Sequence, residues 1–397
     1  MAAPTLILTP RELNFSKDDM FVVIESDKYD GSTAPYAPTH PNLSCYVEVW
    51  EYDRIEDNET KLVTLNVPYD HYTKRATLDI SGLVDLKPGV PSPTISHGHS
   101  TTASTAIFFK FADQWGTPLL PGDLSRSDNG EKYFNIIHGS ALQYLKDYTN
   151  NNGIPLFSYK NFDGTYRQKK LTKTQPEWLY FYPTGGGELT LNIQQTIIFA
   201  DGTTFTSDQD ITAQGSQVNW ISVSYDDVAA AATKEVASYN ITVRKAADPS
   251  GFFTIAQQSF ILDECTDNDK YLCIDNGLGG IETVRMPGES SEDFQVTNEE
   301  FTQADWGAAS VRSFHNARGV QIYKFASGYM TEAEAYHLRQ LLMAQTWYYY
   351  RGDFVSILPT TSEIKDVKNT EAFLFFVEMN YEGTEYLKSA NTVHIKQ

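Results

Sequence analysis

Short β-prone runs with a two-residue period, cut by turn-rich text, recur along almost the whole chain and leave little room for helices. In one of them Tyr46, Glu48, Trp50 and Tyr52 alternate with Cys45, Val47, Val49 and Glu51. One face of that run is more completely apolar than the other, which predicts a half-buried strand. Residues 188–199 (ELTLNIQQTIIF) and 203–205 are two β-prone runs joined across Ala200-Asp201-Gly202. Asp-Gly accommodates positive φ at little cost, so this segment reads as a hairpin. Residues 219–224 (NWISVS) and 238–243 (SYNITV) continue the meander, and the alanines of 229–232 predict one helical turn between strands. Residues 29–41 (YDGSTAPYAPTHP) and 87–104 are rich in Pro, Gly and hydroxyls, and are expected to be long loops.

One segment breaks the pattern. Thr331-Glu332-Ala333-Glu334 has the form of a capping box, in which the threonine hydroxyl accepts from a first-turn amide and the glutamate reaches back. Ala335, Leu338, Leu341, Leu342 and Gln345 follow at helical spacing and form a mostly apolar stripe. The stripe is expected to cover a sheet built from flanking strands at 320–327, 354–358 and 373–381. In the last, Phe373, Phe375, Val377 and Met379 alternate with Leu374 and Phe376, which predicts burial on both faces of its first half. Arg351-Gly352-Asp353 falls between helix and strand and is expected to be a turn.

At 397 residues the chain exceeds one ordinary core. It is read as mainly β: two β-sandwich domains of immunoglobulin or fibronectin type (1–124, with long Pro-rich loops, and 125–248), then an α+β domain (249–397) with one helix packed on an antiparallel sheet. Aromatics make up 13% of residues, with 24 Tyr and 22 Phe, enough to fill real cores. The formal net charge of -20, from 31 basic and 51 acidic residues, repels phosphate backbones at long range, and nucleic acid is not expected as a specific partner. No run approaches the ~20 apolar residues that a membrane-spanning helix needs, and the opening MAAPTLILTPREL lacks the basic region and apolar core of a secretory signal. Membrane insertion is therefore not expected. The three cysteines, Cys45, Cys265 and Cys273, do not form a disulfide framework, and read as buried or incidental thiols, although the spacing of the last two would permit a hairpin disulfide.

Each segment with some look of chemistry has a plainer structural reading. His97-Gly98-His99 puts two imidazoles on one side of an extended segment, but without an acidic or cysteine partner nearby. Asp263, Glu264, Asp267, Asn268 and Asp269 resemble a calcium-friendly turn, yet lack the central Gly and terminal bidentate Glu of a full loop. Gly185-Gly186-Gly187 is not followed by the Lys-Ser/Thr of a phosphate cradle and reads as a turn before a strand. Arg351-Gly352-Asp353 spells an adhesion tripeptide, a match frequent by chance. A Gly-x-Ser-x-Gly elbow and a His-Glu-x-x-His helix are both missing from the sequence. Glycosidase-type carboxylate pairs carry no local motif by which to find them. No catalytic, cofactor-binding or metal-binding residue is assigned, and no cofactor is expected. Aromatic-rich β domains with long loops leave receptor or glycan binding as the alternative to assembly.

The C-terminal third carries a resemblance. Residues 271–284 (YLCIDNGLGGIETV), 323–346 (YKFASGYMTEAEAYHLRQLLMAQT), 355–358 and 373–381 (FLFFVEMNY) follow a layout similar to that of tail and virion proteins of tailed phages infecting Bacteroidetes, crAss-like phages included. Gly279-Gly280-Ile281-Glu282-Thr283 matches the paired-glycine turn of that layout; residues 75–84 (RATLDISGLV) and 175–182 (QPEWLYFY) resemble its upstream strands less sharply. The two Pro-rich loops depart from it. The resemblance implies a non-enzymatic virion structural protein, assembled in the host cytoplasm. Its partners would be itself, as a symmetric homo-oligomeric ring, and other tail, neck, baseplate or portal-proximal proteins.

Overall fold

The computed structural model describes residues 4–9, 13–31, 33–53, 56–84, 93, 97–117, 120–122, 124–126, 133–137, 154–155, 168–183, 186–229, 232–246, 252–267, 269–303, 311–342, 344, 346–367 and 372–381. The protein is mainly β, with 62% of the described residues in strands and 6% helical. It divides into two compact units: one of Met1–Leu171, Trp178–Leu262 and Asn276–Ile281, the other of Thr172–Glu177, Asp263–Asp275 and Glu282–Gln397.

The first unit holds two separate cores. In one, a three-stranded sheet (Thr5–Leu8, Phe21–Glu25, Arg75–Asp79, in that order) shares a core with a larger sheet ordered Leu13–Phe15, Phe134–Ile137, Ser104–Trp115, Ser44–Asp53, Asn58–Pro68. The alternation of Ser44–Asp53 has its expected consequence: Cys45, Val47 and Val49 are buried against Val22, Ile24 and Ala76 of the small sheet. Each such aliphatic side chain contributes roughly 1.5–3 kcal/mol when fully buried. Ser44–Asp53 pairs antiparallel with Ser104–Trp115 from Gln114↔Ser44 to Ala106↔Tyr52, which brings Ile107, Phe109 and Phe111 to the same core.

The other core lies among two further sheets. One runs Ile154–Pro155, Trp178–Tyr182, Val218–Ser222, His97–Ser100; the second runs Lys169–Leu171, Phe252–Leu262, Val236–Ala246, Glu188–Phe199, Thr204–Gln214. Leu179, Phe181, Ile221 and Val223 meet Leu191, Ile193, Tyr239, Ile241 and Phe260 there. The Asp-Gly hairpin forms as expected, with Gly202 at φ +80° and Ile198↔Thr204 closing the ladder.

Two expectations need correction, both of loops. His97–Ser100 is an edge strand and not loop, paired antiparallel to Val218–Ser222; it lies beyond the prolines of its segment, so its N–H groups are free to join a ladder. Residues 29–41 contain a two-residue pairing of Tyr29–Asp30 with Ala37–Pro38. Of the helical turn expected at 229–232, Ala230 and Ala231 lie outside the described residues; a turn of helix forms just ahead of it, at Tyr225–Val228, with Asp226 and Asp227 in a first turn where acidic side chains are favourable.

The second unit is built on a seven-stranded sheet ordered Ile281–Met286, Lys270–Asp275, Trp347–Tyr350, Phe354–Val367, Ala372–Tyr381, Val311–Met330, Ser290–Gln303. Its helix, Glu332–Leu341, opens with the expected capping box: Thr331 N–H donates to Glu334 Oε2 at 2.8 Å and Glu334 N–H to Thr331 Oγ1 at 3.3 Å. Leu338 and Leu341 share a core with Leu272, Ile274, Phe325 and Trp347, so the stripe does lie on a sheet. Gln345 and the side chains of Ala372–Tyr381 lie outside the described residues. Trp347–Tyr350 is a strand, so Arg351-Gly352-Asp353 turns between two strands and not between helix and strand. Gly352 takes φ +90° there and Arg351 N–H donates to Asp353 O.

Candidate interaction surfaces

The segments with some look of chemistry resolve into structure. His97 and His99 do lie on one face of their strand and are exposed. Among the described residues, no group of three or more His, Cys, Asp and Glu is placed to hold a metal ion. The acidic turn is tied by a cation of the protein itself. Arg285 donates through Nε to Asp269 Oδ1 (3.0 Å), through Nη1 to Asp263 Oδ2 (3.0 Å) and through Nη2 to Glu264 O (2.7 Å). Thr266 N–H and Oγ1–H add two donors to Asp269. Burial alone would push the Asp269 carboxyl up, but the Arg285 and Thr266 hydrogen bonds outweigh it and hold it below the usual range. Asn268 lies outside the described residues, as does Gly185; Gly187 turns at φ +75° ahead of Glu188–Phe199. All three cysteines are free thiols, Cys45 and Cys273 buried and Cys265 exposed.

The paired-glycine turn has a clear local cause. Asn276 Oδ1 accepts from the N–H groups of Leu278 and Gly280, while Gly277 and Gly279 take φ +68° and +88°. An L side chain at either glycine would be strained. The strand that follows carries Glu282, 5% exposed, whose carboxylate meets His337 Nε2 of the helix at 2.7 Å. That contact ties the helix to the edge of its sheet.

Two further polar clusters lie apart from these segments. On the face of Ser44–Asp53 opposite the core, Glu48 is 6% exposed and accepts from Tyr46 Oη (2.9 Å), Trp50 Nε1 (2.9 Å) and Lys61 Nζ (3.2 Å). Desolvation is again outweighed by these donors, and the carboxyl is held low. Around it Lys110 Nζ sits 3.6 Å over the Trp50 ring, Arg126 sits 4.1 Å over Phe108, and Tyr52 stacks on Tyr133 at 4.2 Å. Glu59 ties both cations. These contacts occupy ring faces that an open sugar platform would need free. The signal was present in the sequence as a glutamate flanked by aromatics two residues either side.

The second cluster is internal. Asp113 is 3% exposed and accepts from Tyr69 Oη at 2.7 Å. Burial, the largest cause, raises its carboxyl above the usual value, and burial also pushes the Cys45 thiol up to about 12. Such a thiol is inert as a nucleophile at neutral pH.

The exposed apolar side chains are unevenly distributed. Ile7, Leu8 and Phe21 are 45%, 48% and 42% exposed, and all three belong to the small three-stranded sheet. Leu8 lies opposite Val23, so apolar groups from two neighbouring strands share the outward face. Thr5–Leu8 is an end strand of that sheet, and its outer edge carries no strand among the described residues. An apolar face beside an open edge is a surface suited to another polypeptide. Compared with protein-family models and with curated proteins, the chain finds no match.

Proposed function

We propose that this chain is a non-enzymatic structural protein of a tailed-phage particle, forming a ring in the tail, neck or baseplate by subunit packing. In this reading its architecture is two β-sandwich domains followed by an α+β assembly domain. The observation that carries the reading is the exposed apolar face of Ile7, Leu8 and Phe21 beside an edge of Thr5–Leu8 that carries no strand among the described residues. A solvent-facing apolar sheet surface is stabilised when a neighbouring subunit covers it, at roughly 25 cal/mol for each Å² removed from water. The acidic surface, with its net charge of -20, suits a component that does not hold nucleic acid. The layout resemblance of residues 271–284, 323–346, 355–358 and 373–381 to virion proteins points the same way.

The test is direct. Mass spectrometry of purified virions of the phage encoding this chain should find it in multiple copies per particle, and cryo-microscopy should place those copies on a symmetry axis. Particles complete and infectious without the chain would overturn the proposal.

A further inference from the structure

The two histidines of His97–Ser100 have no structural task in the fold. Both are exposed, and among the described residues neither ring has a hydrogen-bond, ion-pair or ring partner. The neighbouring strand supplies the reason. In its antiparallel register His97 lies opposite Ile221 and His99 opposite Asn219. Ile221 is apolar and buried. The Asn219 amide is engaged within its own turn: Nδ2 donates to Gln214 O and to Gln217 O, both at 2.8 Å, and Oδ1 accepts from Gln214 N–H at 2.9 Å. Neither residue offers an imidazole a partner.

The backbone that carries the pair is held in place. Ladder pairing runs from Ile221↔His97 to Val218↔Ser100. Ser100 Oγ then accepts from the N–H groups of Thr102 (3.3 Å) and Ala103 (3.0 Å), which sets the turn that follows. Residues two apart on a strand share a face and stand about 6.5 Å apart. From that spacing two imidazoles can tilt toward one ion, at metal–nitrogen distances of about 2.0–2.1 Å. Neutral imidazole is a ligand for Zn(II), Ni(II) and Cu(II), whereas Mg(II) and Ca(II) take oxygen. With both rings on one strand the second metal–nitrogen bond is intramolecular, so the pair binds more tightly than either ring alone. The net charge of -20 favours the approach of a divalent cation.

We propose that His97 and His99 form a two-imidazole chelate for a first-row transition-metal ion, with water in the remaining coordination positions. Two protein ligands fall short of the four of a closed structural site, so the ion is exchangeable and open to a further ligand. The inference is independent of the assembly reading.

Titration of the full-length chain, purified without a polyhistidine tag, with Ni(II) alone tests it. Calorimetry gives the affinity, and the paramagnetic broadening of imidazole proton signals identifies the ligands. The wild type should take up one Ni(II) with both rings broadened together. H97A and H99A should each lose affinity at least about tenfold, and H97A/H99A should lose the site, all with an unchanged circular dichroism spectrum. H40A removes a histidine already in contact with Thr39 Oγ1 and the Trp115 ring, and should bind as the wild type does.

Binding unchanged in H97A/H99A would overturn the proposal. Two independent events in the wild type, falling to one of unchanged affinity in each single variant, would overturn the chelate. Neither heat nor broadening in the wild type up to roughly 1 mM Ni(II) would overturn it as well.

Discussion

Replacing Arg285 by alanine is the sharpest probe of whether the acidic turn is a structural device. Asp269 is the critical partner, because its side chain is 2% exposed whereas that of Asp263 is 47% exposed. Removing one partner of a buried pair costs roughly 3–5 kcal/mol, because the other charge is left without compensation. Two features reduce that figure: the Arg285 side chain is itself 19% exposed, and Thr266 N–H and Oγ1–H remain on Asp269. The exposed Asp263 contact adds less than ~1 kcal/mol. A net loss of about 2–4 kcal/mol in local stability follows. The assay is native-state hydrogen exchange on peptides covering 263–286, because a chain of two units has no single unfolding transition. Protection within about 0.5 kcal/mol of wild type would refute the argument. The pH dependence has a definite sign. Asp269 is held low in the folded protein, so its contribution is complete above the unfolded carboxylate value and is lost as pH falls through the folded one. In the variant the folded value moves up toward the unfolded one, so that loss should be smaller and complete at a higher pH.

Other consequences follow from the same contacts. Thr331→Ala removes a capping oxygen and should cost about 1 kcal/mol, read as faster exchange of the first-turn amides of Glu332–Leu341. Phe109→Ala empties a site that is 0% exposed and should cost about 3–5 kcal/mol, lowering the melting temperature of the first unit. Asp113 has the opposite pH sign to Asp269: its folded value is raised, so its contribution is complete below the unfolded carboxylate value and is lost as pH rises through the folded one. Asp113→Asn keeps an acceptor for Tyr69, and should flatten that decline in thermal melts taken across pH; an unchanged slope would contradict the assignment. Glu48→Gln should remove part of the acid sensitivity, since Glu48 is held low by Tyr46, Trp50 and Lys61.

What could be read from the sequence was what short-range rules decide. The alternation around Trp50, the Asp-Gly hairpin and the Thr331 capping box are local, and each appears in the structure as its residues require. Long-range pairing was not legible. His97–Ser100 is polar and contains glycine, and becomes a strand because Val218–Ser222 offers it an edge more than a hundred residues away. Trp347–Tyr350 was hidden by proximity to the helix, since a four-residue aromatic run has no period long enough to separate it from a turn. The Arg285 clamp is not legible in the sequence, because an acidic cluster shows its charge while the distant cation that pairs with it does not. The exposed apolar residues are more hidden still: Ile7, Leu8 and Phe21 look like core residues in the sequence, and only the fold reveals that they are exposed.

The central claim is that these sheets are completed by other copies of the same chain. The mass of the purified full-length protein, measured by sedimentation velocity over a range of concentrations, tests it most directly. The account predicts one discrete closed species at a whole multiple of 44.7 kDa. A single species of one-chain mass at every concentration would contradict it.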